Sequence, residues 1–171
     1  MKKYAKYLNL LTSVLLIVSI VLMLACTGIT GISTVGIPGI IETDFHVEIS
    51  GITVLFGGTI TDARIQVHSS PLALIGFILT LVGLILICLL TVLKLIKGEE
   101  SKNIDMIILC GALFALIGGI FTSLTKISFV NTNDFFDKAS LSGGYITAAI
   151  LAIVAGIISS IDPVIGLLSK E

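Results

Sequence analysis

Asp44, His46 and Glu48 alternate with Phe45, Val47 and Ile49, and His68 follows some twenty residues later. Carboxylate and imidazole groups on one strand face are the raw material of a divalent-metal site. Their spacing matches no established ligand pattern, and a half-buried strand requires polar side chains on its solvent face anyway, so the simpler reading is a solvated face. We expect no metal, no cofactor and no catalytic residue. The sequence contains no G-x-S-x-G, H-E-x-x-H, P-loop or dinucleotide fingerprint. Asp162, near the end of an apolar run, reads as a helix-end residue rather than a catalyst. Together with Arg64 and His68, the trio Asp44, His46 and Glu48 is expected to form an outer face that meets a partner.

What must position these residues is set by the apolar runs. No Asp, Glu, Lys or Arg lies between Lys6 and Glu42, Arg64 and Lys94, Asp105 and Lys126, or Lys138 and Asp162. Each gap accommodates the roughly 20 residues that cross a hydrocarbon core of about 30 Å. Only 12% of residues are charged, against about 25% in a soluble domain, and mean hydropathy is +1.15. The expected fold class is an all-α membrane bundle of four transmembrane helices, one domain over residues 1–171, with spans at about 8–27, 71–96, 105–125 and 143–161. A small extracytoplasmic antiparallel β-sheet is expected in the first outer loop, residues 40–70.

Orientation follows from lysine and arginine. With both termini and the 94–105 connection in the cytoplasm, Lys2, Lys3, Lys6, Lys94, Lys97, Lys102 and Lys170 lie inside and only Arg64, Lys126 and Lys138 outside, the asymmetry that directs insertion. The outer loops then carry Glu42, Asp44, Glu48, Asp62, Asp134 and Asp137 against those three bases. An acidic exterior argues against a nucleic-acid partner, which needs basic patches. The expected setting is the plasma membrane, with the lipid bilayer, and other membrane proteins or a second copy, as partners. Lysine-rich, arginine-poor composition with abundant Ile suggests an AT-rich bacterial genome.

Cys26, Cys88 and Cys110 all fall within the spans, so no disulfide framework is expected outside. Leu22-Met23-Leu24-Ala25-Cys26 loosely resembles a lipoprotein cleavage box, but Met23 and Leu24 fit it poorly. The run from Leu8 to Ala25 also exceeds the about 7–15 residues of a signal h-region. We therefore expect span 1 to be retained with Cys26 unmodified. Span 1 is rich in Leu, Ile and Val, which predicts extensive lipid contact, Leu16 included.

Gly28, Gly31, Gly36 and Pro38-Gly39 are expected to end that helix in a loop. Phe45–Ile49 reads as a strand by its period of two. At Gly51 the apolar parity shifts to Ile52, Val54 and Phe56, which predicts a bulge or break and a further strand. Gly57-Gly58 then reads as a hairpin turn and Ala63, Ile65 and Val67 as a last strand. Ser69-Ser70-Pro71 is a helix start. The Lys97–Lys102 turn pairs spans 2 and 3, Asn103 or Asp105 caps span 3, Asn131–Asp134 forms a turn, and span 4 stops near Asp162-Pro163. Phe129, Phe135 and Phe136 are expected under the sheet or at the membrane interface.

Small residues carry the packing signal. Ala148, Ala152, Gly156 and Ser160 recur every four residues, and Gly111, Ala115, Gly118 and Gly119 face them from span 3. Such stripes let helix backbones approach closely in lipid. The pairing is expected within the chain, with a homo-oligomer interface as the alternative. No charge is expected in the middle of a span, which argues against an ion or proton path, and Thr80, Thr122, Ser123, Thr147, Ser159 and Ser160 are expected to bond their own helix backbones.

Four spans, cytoplasmic termini, a strand-bearing first outer loop and a shorter second loop resemble the plan of the claudin-like superfamily. The resemblance covers the whole chain as topology. The family's Trp–Gly-Leu-Trp–Cys–Cys loop signature is absent: there is no Trp, no loop Cys, and Gly51–Gly57 does not replace it. The resemblance therefore implies a fold, and no functional residue is carried over. The function expected is non-enzymatic: an acidic outer β loop that associates with membrane proteins or an outside partner. The alternative is an accessory subunit of a transporter or a small oligomeric channel.

Overall fold

The computed structural model describes residues 2–37, 41–60, 64–97 and 102–168. Four of its helices are long and apolar enough to cross a membrane: α1 (Lys2–Ala25), α3 (Pro71–Lys97), α4 (Lys102–Ser123) and α6 (Gly143–Leu168). They fit a multi-pass membrane protein. α1 packs on α3 and α6, and α4 packs on the same two helices, so α1 and α4 stand on one diagonal of a square bundle and α3 and α6 on the other. Leu, Ile and Val cover the outside, among them Leu10, Val14, Ile17, Ile78, Ile85 and Leu89.

A small sheet caps the end where α1 finishes and α6 begins. β1 (Thr27–Ile37) pairs antiparallel with β2 (Ile41–Ser50) and, on its other side, with β5 (Lys138–Leu141), giving the order β2-β1-β5. The sheet is thus built from both long connections rather than from 40–70 alone. A separate hairpin joins β3 (Gly58–Ile60) to β4 (Ile65–Val67).

Several expectations change here, each for a local reason. The glycines after α1 do not form a loop. They lie in β1, where Gly31 leaves room for the Phe136 ring to rest on the strand. Gly51 opens a helix, α2 (Gly51–Phe56), instead of a bulge followed by a strand. Ser50 caps it, its Oγ accepting from Thr53 N at 3.3 Å. Gly51 donates to the Cys26 carbonyl at 2.8 Å, and a Cβ there would overlap the Met23 carbonyl oxygen. Gly57 ends α2 with φ of 77° rather than turning a hairpin.

α3 begins at Pro71 as the Ser-Ser-Pro start predicts. α4 stops at Ser123, and the chain resumes as α5 (Thr125–Thr132), which replaces most of the expected loop and turn. α6 does not stop at Pro163 but continues to Leu168. The proline removes one backbone donor, a loss that membrane helices tolerate, and the residues beyond it stay apolar. Pro38-Gly39, Asp62, Ala63, the 98–101 turn and Lys170 lie outside the described residues, as do the side chains of Gly36 and Glu42.

Two cores hold the molecule. At the sheet end Met23, Ile29, Ile49, Val54, Val67 and Tyr145 meet with Phe129 and Phe136, whose rings lie 5.5 Å apart. Mid-bundle, Leu16, Ile87, Ala115, Ala152 and Ala155 bring all four long helices together. Leu16 is fully buried, so the lipid-facing reading of span 1 fails at this position.

Candidate functional site

Pairing places Asp44 opposite Thr34, His46 opposite Ile32 and Glu48 opposite Thr30, while Lys138 and Ser140 of β5 stand opposite Ile32 and Thr30. Directly opposed residues share a sheet face, so Asp44, His46, Glu48, Lys138 and Ser140 form one polar surface. Thr34 Oγ1 donates to Asp44 Oδ1 at 2.9 Å, and the Thr34 backbone N–H donates to Asp137 Oδ2 at 2.8 Å. All three β2 side chains are exposed, and β2 is an edge of its sheet.

Arg64 and His68 do not join them. Arg64 lies at the β3–β4 turn with φ of 51°, exposed, and His68 follows β4. Asn133 clamps this segment. Its Oδ1 accepts from His68 N at 2.7 Å and its Nδ2 donates to His68 O at 3.2 Å. Among the described residues, no group of three or more His, Cys, Asp or Glu side chains is arranged to hold a metal ion. On the opposite face of the sheet, Val35, Phe45, Val47, Ile65 and Phe135 line an apolar groove. Of the three loop phenylalanines, Phe129 and Phe136 are buried and Phe135 is exposed at this groove.

The small-residue stripes divide among partners within the chain. Gly156 lies against α4, where an added Cβ would stand 2.7 Å from the Ala112 carbonyl oxygen and 2.8 Å from Leu116 N. Gly119 makes the reciprocal approach, 2.8 Å from the Ala149 carbonyl oxygen. Gly118 and Gly111 face the other way, onto Gly76 and Gly83 of α3, two glycines that the sequence reading missed. Ala115 and Ala152 enter the mid-bundle core. Ala148 turns to α1, its carbonyl accepting from Ser19 Oγ at 2.8 Å, and Ser160 is only half-buried. Thr80, Thr122, Ser123, Ser159 and Ser160 each donate to a carbonyl three or four residues earlier, as expected.

The far end of the bundle contains what the span pattern hid. Lys94 Nζ bonds Asp105 of α4 and reaches across the diagonal to Asp162 Oδ2 of α6 at 3.4 Å. Lys94 is 7% exposed and Asp105 3%, so these charges sit inside the bundle and not at its rim. α1 contributes a polar inner stripe of Asn9, Thr12, Ser13 and Ser19, all buried. Ser159 Oγ and Thr12 Oγ1 lie 2.9 Å apart, and Thr12 and Ser13 donate their hydroxyl hydrogens to the Asn9 carbonyl at 2.8 and 3.0 Å. The three-to-four-residue spacing of polar residues within an apolar helix was the available signal. For the charges, it was their place about one turn inside each helix end.

No protein-family model, curated protein or solved structure matches the chain.

Proposed function

We propose that this chain is a non-enzymatic, multi-pass protein of the plasma membrane that presents its sheet outside the cell to associate with other membrane proteins or an external partner. One observation carries the reading. The sheet shares a continuous core with the bundle, through Ile29, Ile49, Met23, Tyr145 and Ala148, so a polar face and a free strand edge are displayed on a fixed support. Edge strands recruit an extended partner through backbone hydrogen bonds, and acidic side chains at the edge restrict which partners pair there. The claudin-like kinship is proposed on plan alone.

Orientation rests on the basic-residue asymmetry. Impermeant thiol reagents applied to intact cells are expected to label cysteines introduced at positions 48 and 134 but not at 100. Labelling at 100 overturns the orientation.

A photo-crosslinker at position 46 is expected to give a discrete adduct in intact cells, lost when Asp44 and Glu48 are both replaced by Lys while the melting temperature stays unchanged. A control probe goes at Ile85, in the lateral apolar groove that Ile17, Leu84, Cys88 and Leu89 also line. Adducts at Ile85 with none at 46 favour the second reading, an accessory subunit of a transporter or a small oligomeric channel. That reading draws its support from the polar stripe of α1 and the Lys94 cluster, since ionisable groups within membrane helices mark ion paths.

A further inference from the structure

We propose that the outer edge of β2 pairs with an extended protein segment in which basic and apolar residues alternate, on the footing that the sheet is the association surface proposed above. The edge is open. β2 is the outermost strand of its sheet, and among the described residues no backbone hydrogen bond from outside the β1–β2 ladder reaches residues 43–48. An open edge binds an extended segment through its main chain, and side chains at every second position set the specificity.

Each face of β2 calls for a different kind of side chain. On one face Asp44 and Glu48 flank His46, and Asp137 brings a third carboxylate beside Asp44, since both accept from Thr34. Among the described residues neither Asp44 nor Glu48 forms an ion pair, and Lys138 stands two strands away in the row of His46. The connections 38–40 and 61–63 are Pro-Gly-Ile and Thr-Asp-Ala and bring no basic residue. On the other face Phe45 and Val47 line the groove that Val35, Ile65 and Phe135 complete. Phe45 is 53% exposed and Val35 54%, so the groove is an uncovered apolar surface continuous with the edge.

Directly opposed residues on neighbouring strands share a face and interact. A segment added beside β2 therefore meets it position by position: basic opposite Asp44, apolar opposite Phe45, unrestricted opposite His46, apolar opposite Val47, basic opposite Glu48. That pattern is palindromic, so either chain direction satisfies it. A second copy of β2 does not. Paired antiparallel about His46, it sets Asp44 of one chain against Glu48 of the other, and like charges directly opposite destabilise a sheet.

The test uses the full chain purified in detergent and a capped, fluorescent peptide containing Lys-Val-Thr-Val-Lys, with binding followed by anisotropy. Replacing both lysines by Glu, or N-methylating the backbone amides of that stretch, is expected to weaken binding at least roughly tenfold. The rearranged order Lys-Lys-Thr-Val-Val, which breaks the alternation, is expected to do the same. With Asp44→Lys and Glu48→Lys combined, the preference should reverse and the Glu peptide bind the tighter, an outcome that misfolding cannot produce. Phe45→Thr is expected to weaken the Lys peptide by roughly three- to fivefold with the melting temperature unchanged. No binding of the Lys peptide, equal binding of the Lys and Glu peptides, or binding that survives N-methylation overturns the proposal, while the crosslink at position 46 separately decides whether the sheet is an association surface at all. Disulfide trapping of two His46→Cys chains, with no peptide bound, would give the edge to a second copy and overturn it as well. So would quenching of a fluorophore at position 45 by brominated lipid in nanodiscs with no peptide bound, which would give the groove to the bilayer.

Discussion

Lys94→Met is expected to destabilise the chain by about 3–5 kcal/mol, the usual consequence of removing one partner from a buried ion pair. The ammonium is the common partner of Asp105 on α4 and Asp162 on α6. Without it two carboxylates share a protein interior, and their repulsion adds to the lost attraction. Replacing Lys94, Asp105 and Asp162 together with Met, Leu and Leu is expected to recover most of that loss, because well-packed apolar groups match or exceed a buried ion cluster. Detergent-to-SDS unfolding followed by circular dichroism measures both variants. A loss below about 1 kcal/mol for Lys94→Met would place the cluster in the class of solvent-screened pairs.

How much of this was legible depends on the range of the interactions. Local signals worked. The Ser-Ser-Pro start of α3, the alternation in β2 and the four apolar runs all rest on neighbours in sequence, and each element formed where that pattern lay. Short stretches misled. Over the six residues of α2 a period of two is not separable from a period of 3.6, and the buried set Gly51, Val54 and Leu55 is helical. The glycines of β1 read as breakers because their role is to accept Phe136 and other side chains from distant segments, which composition does not reveal. β5 is four residues long and pairs with a strand more than a hundred residues earlier. The polar strand face was visible as Asp44, His46 and Glu48, but Arg64 and His68 separated from it because β4 pairs with β3 instead. Lys94 and Asp162 are 68 residues apart, on diagonal helices. Only the square order of the bundle brings them into contact, and hydropathy says nothing about that order.

Gly156→Leu and Leu16→Ala decide whether the small-residue stripe and the first helix have been placed correctly. Gly156 faces backbone atoms, the Ala112 carbonyl at 2.7 Å and Leu116 N at 2.8 Å from an added Cβ, so relief requires α4 and α6 to separate. Overpacking costs about 1–3 kcal/mol and occasionally more. Here the upper end is expected, because separation also forfeits the close contacts that hold helices together in lipid. Leu16→Ala opens a cavity in the layer where all four helices meet, at a cost of about 2–5 kcal/mol. A lipid-facing leucine would lose almost nothing. Ser160→Leu is the contrast within the stripe, expected to change stability by less than about 1 kcal/mol, because Ser160 is half-buried and bonds only its own helix. Thermal melting and apparent size in detergent read all three. If Gly156→Leu melts like the parent but loses a dimer, the stripe joins two copies and the oligomeric reading replaces the intramolecular one. If Leu16→Ala also melts like the parent, α1 does not complete the bundle.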